Sequence, residues 1–336
     1  MTQSVQILVT MPKNAVFQTF FNEERIRQLE QIGRVRWNET GRQFTHEELC
    51  EAIRDADVCV TGWGTPQLDG EVMRCAGRLR LLAHTGGSVN GYVSDAVYAQ
   101  GVRVVSGNRV FAESVAESVI AYALASLRRI PYYAAGLAAG HWPDSFENRG
   151  LLDRSVGIVG YGMIARYVVE MLRPFHCPVK VFSRHISQDE LRRTGMTQAD
   201  LPEIFASCDI VSIHSGMTRE NYHLITEPLL RGMKPGALLI NTARGAVIDE
   251  PALCRVLAER PDLFAALDVY ETEPLPAGHP LEKLPNTLLM PHQGGPTIDR
   301  RLAVTRSIVD DIRRFLAGEE MSCEISQSYA AKMSAY

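Results

Sequence analysis

Two residues near the end of the chain have types that could move a proton together. Glu273 lies on a Pro-bounded loop in "DVYETEPLP", and His292 follows a proline at the end of the apolar run "NTLLMPHQGG". A histidine titrates near neutral pH, its unperturbed pKa being about 6.5. A carboxylate on its other ring nitrogen fixes the tautomer and favours the protonated form. Such a unit can take the proton of a hydroxyl or return it to a carbonyl oxygen. Taken singly, Glu273 reads first as a solvated loop acid, and His292 reads equally as a strand-end cap.

A second constellation is Gly160-x-Gly162-x-x-Ala165 in "VGIVGYGMIARYV". It directly follows an apolar run and opens a helical pattern. Gly160 permits a tight turn, and Gly162 lets the backbone approach a pyrophosphate seated on the helix N-terminus. Ala165 allows close helix–strand packing. The bare pattern is weak, but this strand–turn–helix setting predicts a dinucleotide site. At the end of the next strand, where an Asp or Glu would hold a ribose 2′-hydroxyl, stand Ser183, Arg184 and His185. A carboxylate there repels a 2′-phosphate and an arginine attracts one, so NADP is favoured over NAD. The bland alternative leaves Arg184 facing solvent or stacked on an adenine.

The elements that must position these residues are two series of short strands. "VQILVTM" (5–11), "DVCVTGW" (57–63), "LRLLAHTG" (79–86) and "VRVVSG" (102–107) form the first. "SVGIVG" (155–160), "VKVFSR" (179–184), "DIVSIH" (209–214), "ALLINTA" (237–243), "AALDVY" (265–270) and "NTLLMP" (286–291) form the second. Each is a continuous apolar run, the mark of a strand buried on both faces of a parallel sheet. Helical stretches alternate with them, and Thr45–Glu48 reads as a capping box. A long Ala-rich helical pattern runs from 112 to 139, interrupted at Pro131. The stretch after the helix-like 298–316 is expected to return to the first domain and end in a weakly ordered tail. The fold class expected is α/β, with two doubly wound parallel-sheet domains and ligands between them at the carboxyl ends of the strands.

Bulk properties bound the function. A chain of 336 residues, 46% hydrophobic, has the length for two domains. A formal net charge of −4 provides no basic footprint for nucleic acid. The N-terminus lacks a signal-peptide pattern, and no uninterrupted apolar run approaches the roughly 20 residues of a membrane helix. The seven cysteines are scattered without a C-x-x-C pair. That pattern predicts reduced thiols, a cytoplasmic setting and no metal site.

The run "CDIVSIHSGMTRENYHLI…MKPGALLINTARGAVID", with "LDVYETEPL" and "PHQGG", resembles the D-isomer-specific 2-hydroxyacid dehydrogenase family. That family includes glyoxylate/hydroxypyruvate reductases and phosphoglycerate dehydrogenases. The similarity is strong over about 150–295, and the first hundred residues match in architecture and in "HTGGSVN". The resemblance implies a Rossmann dinucleotide-binding domain, 108–297, inserted into a flavodoxin-like substrate domain, 1–107 with 298–336. It implies hydride transfer between NAD(P) and C2 of a small 2-oxo or 2-hydroxy acid, in the direction of keto-acid reduction.

Within that resemblance Arg244 orients the substrate, His292 is the acid/base and Glu273 its partner. The cofactor would be held by Gly160, Tyr161, Gly162, Met163, Ile164, Ser183 and Arg184, with His214, Thr242, Ala243 and Asp268 completing the site. Thr85, Gly86 and Gly87 would take the substrate carboxylate together with Arg244 and His292. Each has a plainer reading: a glycine turn, a structural histidine, a surface ion pair. Trp63 is a candidate wall of the pocket, though an aromatic there is more often core.

Two departures stand out: Gly216 replaces the usual proline after the strand-end histidine, and Gln293 follows His292. The long helix suggests a homodimer. The alternative is a catalytically idle dinucleotide sensor of the co-repressor kind, against which the intact Arg–Glu–His set argues. A methyltransferase with the same glycine turn would leave that set unexplained.

Overall fold

A computed structural model describes residues 4–142 and 147–333. The chain divides into two compact units, Met1–Phe111 with Pro296–Tyr336, and Ala112–Gly295. Both are α/β, and among the described residues the pairings between their strands are parallel, apart from one isolated antiparallel bridge.

The first unit carries β1 (Gln6–Pro12), β2 (Arg34–Asn38), β3 (Val58–Thr61), β4 (Leu81–His84) and β5 (Arg103–Ser106). Their order, β2-β1-β3-β4-β5, is the flavodoxin-like winding. Strands β3 and β4 are buried at every position, as continuous apolar runs require. Strand β2 was not anticipated. It is an edge strand whose first four residues alternate between exposed and half-buried, so "RVRWN" has no apolar run to announce it.

Helix Ile298–Ala317 covers one face of this sheet through Val304, Ile308, Val309 and Ile312. Residues 318–333 return to the first unit, and the final residues, 334–336, on which the expected tail falls, lie outside the described residues. Glu324 forms an antiparallel bridge to Val105, Ile325 is buried, and Tyr98 donates to the Ile325 carbonyl at 3.2 Å. Trp63 packs edge-on against Phe20 and Phe111, with the Arg301 guanidinium over its ring.

The second unit carries β6 (Val156–Val159), β7 (Val179–Phe182), β8 (Thr197–Gln198), β9 (Ile210–Ile213), β10 (Leu238–Asn241), β11 (Phe264–Leu267) and β12 (Thr287–Leu289). The order β12-β11-β10-β9-β6-β7-β8 places the first strand of the series at the centre, between β9 and β7. The winding reverses there, and an open α/β sheet binds ligands at such a point. Apolar clusters cover both faces of the sheet.

The Ala-rich segment is two helices, Asn108–Leu127 and Ile130–Ala138. The break is at Arg129, which adopts φ 52, and Pro131 sits in the first turn of the second helix, where its missing N–H removes no helical bond. Asn108–Leu127 is long and apolar enough to cross a membrane, but Ala116, Val119, Ala123 and Leu127 are spent in the core beside β6. Thr45 and Glu48 form the anticipated capping box.

Candidate active site

Glu273 and His292 meet. The loop after β11 carries Glu273 and the turn after β12 carries His292, and β11 and β12 are paired neighbours. Glu273 Oε2 accepts from His292 Nδ1 at 2.6 Å, and Oε1 accepts from the Tyr270 amide at 3.0 Å. The carboxylate therefore holds its own loop with one oxygen and the imidazole with the other. Nδ1 carries the proton, which directs Nε2 to reacting chemistry. The two side chains are 35% and 39% exposed, so the pair is reachable. His292 has φ 52, an uncommon conformation for a residue with a side chain.

Asp268 secures that turn. Its Oδ1 accepts from the Gln293 amide at 2.8 Å and its Oδ2 from the Gly294 amide at 2.7 Å. Tyr122 donates to Oδ1 at 3.2 Å, and Ser118 donates to the Gly294 carbonyl. Burial raises the Asp268 pKa, and the two amide bonds oppose the rise. The resemblance put Asp268 in the cofactor site; here both its oxygens are bonded to the backbone beside His292. Nothing in the spacing pointed to Tyr122 or Ser118, which come from a helix some 150 residues earlier in the chain.

Arg244 follows β10 on "NTARG". Its guanidinium donates to the Ala243 carbonyl at 2.6 Å, and Asn241 Nδ2 donates to the Arg244 carbonyl at 2.9 Å. The next residue explains its glycine: a Cβ at Gly245 would lie 1.8 Å from the Tyr270 carbonyl carbon. The Arg244 loop and the loop leading to Glu273 thus touch backbone to backbone.

Four further groups brace this corner. Glu250 and Glu271 each accept from the other's amide, and His223 Nε2 bonds Glu271 at 2.6 Å. His279 stands 3.3 Å from Glu250, whose pKa is raised by burial. Nothing in the sequence singled out either histidine.

The glycine turn after β6 fits a dinucleotide. Gly160 adopts φ 89, and a Cβ there would lie 2.7 Å from the Ser215 amide, because the turns after β6 and β9 are in contact. Gly162 has open space where a Cβ would point. It caps helix Met163–Leu172 with no side-chain bond to the first turn, so an anion can take those amides. Ala165 is fully buried.

Along the same sheet edge two buried polar atoms lack a partner among the described residues, His214 Nδ1 and Thr242 Oγ1. His214 Nε2 bonds Ser212 Oγ at 2.9 Å, and burial pushes its pKa down to about 4, so the ring is neutral at pH 7. The Ala243 amide is turned inward to Asn241 at 3.0 Å.

At the end of β7, Ser183 Oγ accepts from the His185 amide, and Arg184 pairs with Glu220. Glu220 comes from the loop after β9, and no spacing rule pointed to it. Tyr161 donates to Glu190 at 2.8 Å, while Met163 and Ile164 form the first turn of the helix.

In the first unit, Thr85 turns its hydroxyl inward to the Thr61 carbonyl at 3.0 Å. The Gly87 carbonyl accepts from Ser106 Oγ at 3.1 Å. The Gly86 and Gly87 amides donate to no described group, as an anion-binding turn requires.

The chain is similar to known proteins of one family. Residues 120–294 match the family model described as "D-isomer specific 2-hydroxyacid dehydrogenase, NAD binding domain". A glyoxylate reductase of Thermofilum pendens is 34% identical over 82% of this chain and 83% of its own length. A D-3-phosphoglycerate dehydrogenase of Methanocaldococcus jannaschii is 32% identical over 94% of this chain, which spans only 58% of that longer protein. The crystal structure of the TT0316 protein from Thermus thermophilus superposes with a TM-score of 0.78 at 28% identity, covering 96% of this chain and all of that one.

Proposed function

Because this chain belongs to the D-isomer specific 2-hydroxyacid dehydrogenase family, we propose that it reduces a small 2-oxo acid such as glyoxylate or hydroxypyruvate to the corresponding 2-hydroxy acid. The observation that carries the reading is the 2.6 Å bond from His292 Nδ1 to Glu273, which keeps Nε2 for proton transfer. When bound, a reduced nicotinamide supplies hydride to the carbonyl carbon. His292 Nε2 delivers the proton to the carbonyl oxygen as that oxygen gains negative charge, and Glu273 stabilises the ring through Nδ1. Arg244 holds the substrate and offsets charge on the reacting oxygen, a guanidinium being suited to carboxylates. The unpaired amides of Gly86 and Gly87 take the substrate carboxylate.

Gly160 and Gly162 admit the pyrophosphate, and the orphaned atoms of His214 and Thr242 find partners on the cofactor. For the cofactor itself the reading favours NADP. Arg184 stands where an acid would exclude a 2′-phosphate, and Glu220 yields to the phosphate's greater charge. We further propose that two copies pair through helix Ile130–Ala138. None of its residues is buried, and Ile130, Tyr132 and Leu137 are each more than half exposed.

The test is a panel of glyoxylate, hydroxypyruvate, pyruvate and phenylpyruvate with NADPH and with NADH, followed by absorbance. Turnover of glyoxylate or hydroxypyruvate, faster with NADPH, is expected. A chain that turns over none of the acids with either nucleotide refutes the reading.

A further inference from the structure

One buried polar atom in the first unit is used by nothing described so far. His84 ends β4, immediately before the Thr85–Gly87 turn, and is 0% exposed. Its Nδ1 lies 3.0 Å from Thr61 Oγ1, and its ring lies against that of Tyr92, tilted by 31° with 4.4 Å between centroids. Its carbonyl accepts from the Gly107 amide at 3.1 Å. Nε2 has no hydrogen-bond partner among the described residues. That nitrogen faces Gly86: a Cβ built on Gly86 would lie 2.3 Å from it.

The proton on this ring can be assigned by counting unsatisfied groups. If Thr61 donates to Nδ1, one orphan remains, the Nε2–H. If Nδ1 donates to Thr61, both the threonine hydrogen and the Nε2 lone pair are stranded. The first tautomer is therefore preferred, and it aims an N–H at the turn. Burial drives the ring's pKa down to about 3, so this is a neutral dipole rather than a charge. A stranded buried donor costs stability and calls for a reason. The adjoining turn supplies one, because its two amides also lack acceptors.

Resting on the reading of function above, we propose that His84 is a positioning residue for the substrate carboxylate: its pinned ring forms the floor under Gly86, and its Nε2–H directs the positive end of a dipole at the anion-binding turn. Thr61 and Tyr92 hold the ring, the ring occupies the space a side chain at 86 would need, and the Gly86 and Gly87 amides keep their direction. Glycine at 86 is then dictated by contact with His84, since its φ lies outside the left-handed region.

The test uses the full chain with NADPH and glyoxylate. His84→Phe keeps the ring volume and the contact with Tyr92 but removes both nitrogens. It should raise the KM for glyoxylate about tenfold, one hydrogen bond's equivalent, with kcat and the KM for NADPH nearly unchanged. A merely structural role would lower stability without this split, and a wild-type glyoxylate KM in His84→Phe overturns the proposal.

A second arm decides if that variant fails to fold. Gly86→Ala should raise the glyoxylate KM by about a hundredfold, as expected when a binding geometry shifts by about an ångström. In a His84→Ala background the same change should cost less than about tenfold, because the floor is gone. Equal costs in the two backgrounds overturn the proposal. If wild type turns over no keto acid, the functional reading fails by itself. The turn is then probed with oxalate by thermal shift, where equal stabilisation of wild type and His84→Phe overturns the role of His84.

Discussion

Acidification should destabilise the first unit, and His84 is the reason. The only cause acting on its pKa is burial, which lowers it from an ordinary 6.5 to about 3. Between those values the unfolded chain binds a proton that the folded chain refuses. Stability is therefore complete above pH 6.5 and falls as pH drops below it. At pH 5 the loss is about 2 kcal/mol. For a unit of this size that is a fall in Tm of about 4–8 °C.

The assay is thermal unfolding by near-UV circular dichroism at pH 7.5 and pH 5, for wild type and His84→Phe. Absolute stability is not the readout, because the variant also strands the Thr61 hydroxyl. The readout is the difference between the two pH values, which should shrink by about 4–8 °C in the variant. Parallel behaviour of the two proteins would refute the argument that His84 is buried neutral. His214, with its pKa pushed to about 4, contributes in the same direction but remains in both proteins.

Glu273→Gln and His292→Gln should each lower kcat by about 10²–10⁴, and the double variant should be little worse than either, since the two act as one unit; additive losses in steady-state assays would separate them. Arg184→Ala should raise the KM for NADPH at least about tenfold while sparing NADH, and Glu220→Gln should lower the KM for NADPH by freeing that arginine; equal changes for both nucleotides would remove Arg184 from cofactor choice. Gly245→Ala forces a Cβ to within 1.8 Å of the Tyr270 carbonyl carbon. It should cost at least about 3 kcal/mol in urea unfolding, with activity lost alongside, because backbone rather than a flexible side chain would have to move.

Much of this protein was readable along the chain. Buried parallel strands need unbroken apolar runs, so ten of the twelve strands among the described residues stood out as such runs. The two that did not, β2 and β8, lie at sheet edges, where one side of the strand meets solvent and the run is diluted. The capping box and the glycine turn were also legible, because caps and tight turns are set by residues within four positions of each other. The motif around Glu273 and His292 named both residues, but it did not determine that one carboxylate serves both a loop amide and the imidazole.

What only the tertiary structure decided is everything that depends on atoms distant in sequence. Pairing of β11 with β12 brings Glu273 to 2.6 Å from His292. Tyr122 reaches Asp268 across 146 positions, and Glu220 reaches Arg184 across 36. His84 and Gly86 are two residues apart, yet the Thr61 and Tyr92 contacts that turn the ring toward the glycine come from elsewhere in the chain. Periodicity and local spacing encode which face of an element is buried and where it ends. Hydrogen bonds fall off within a few tenths of an ångström and are directional, so which atoms meet is fixed only when the sheets have formed.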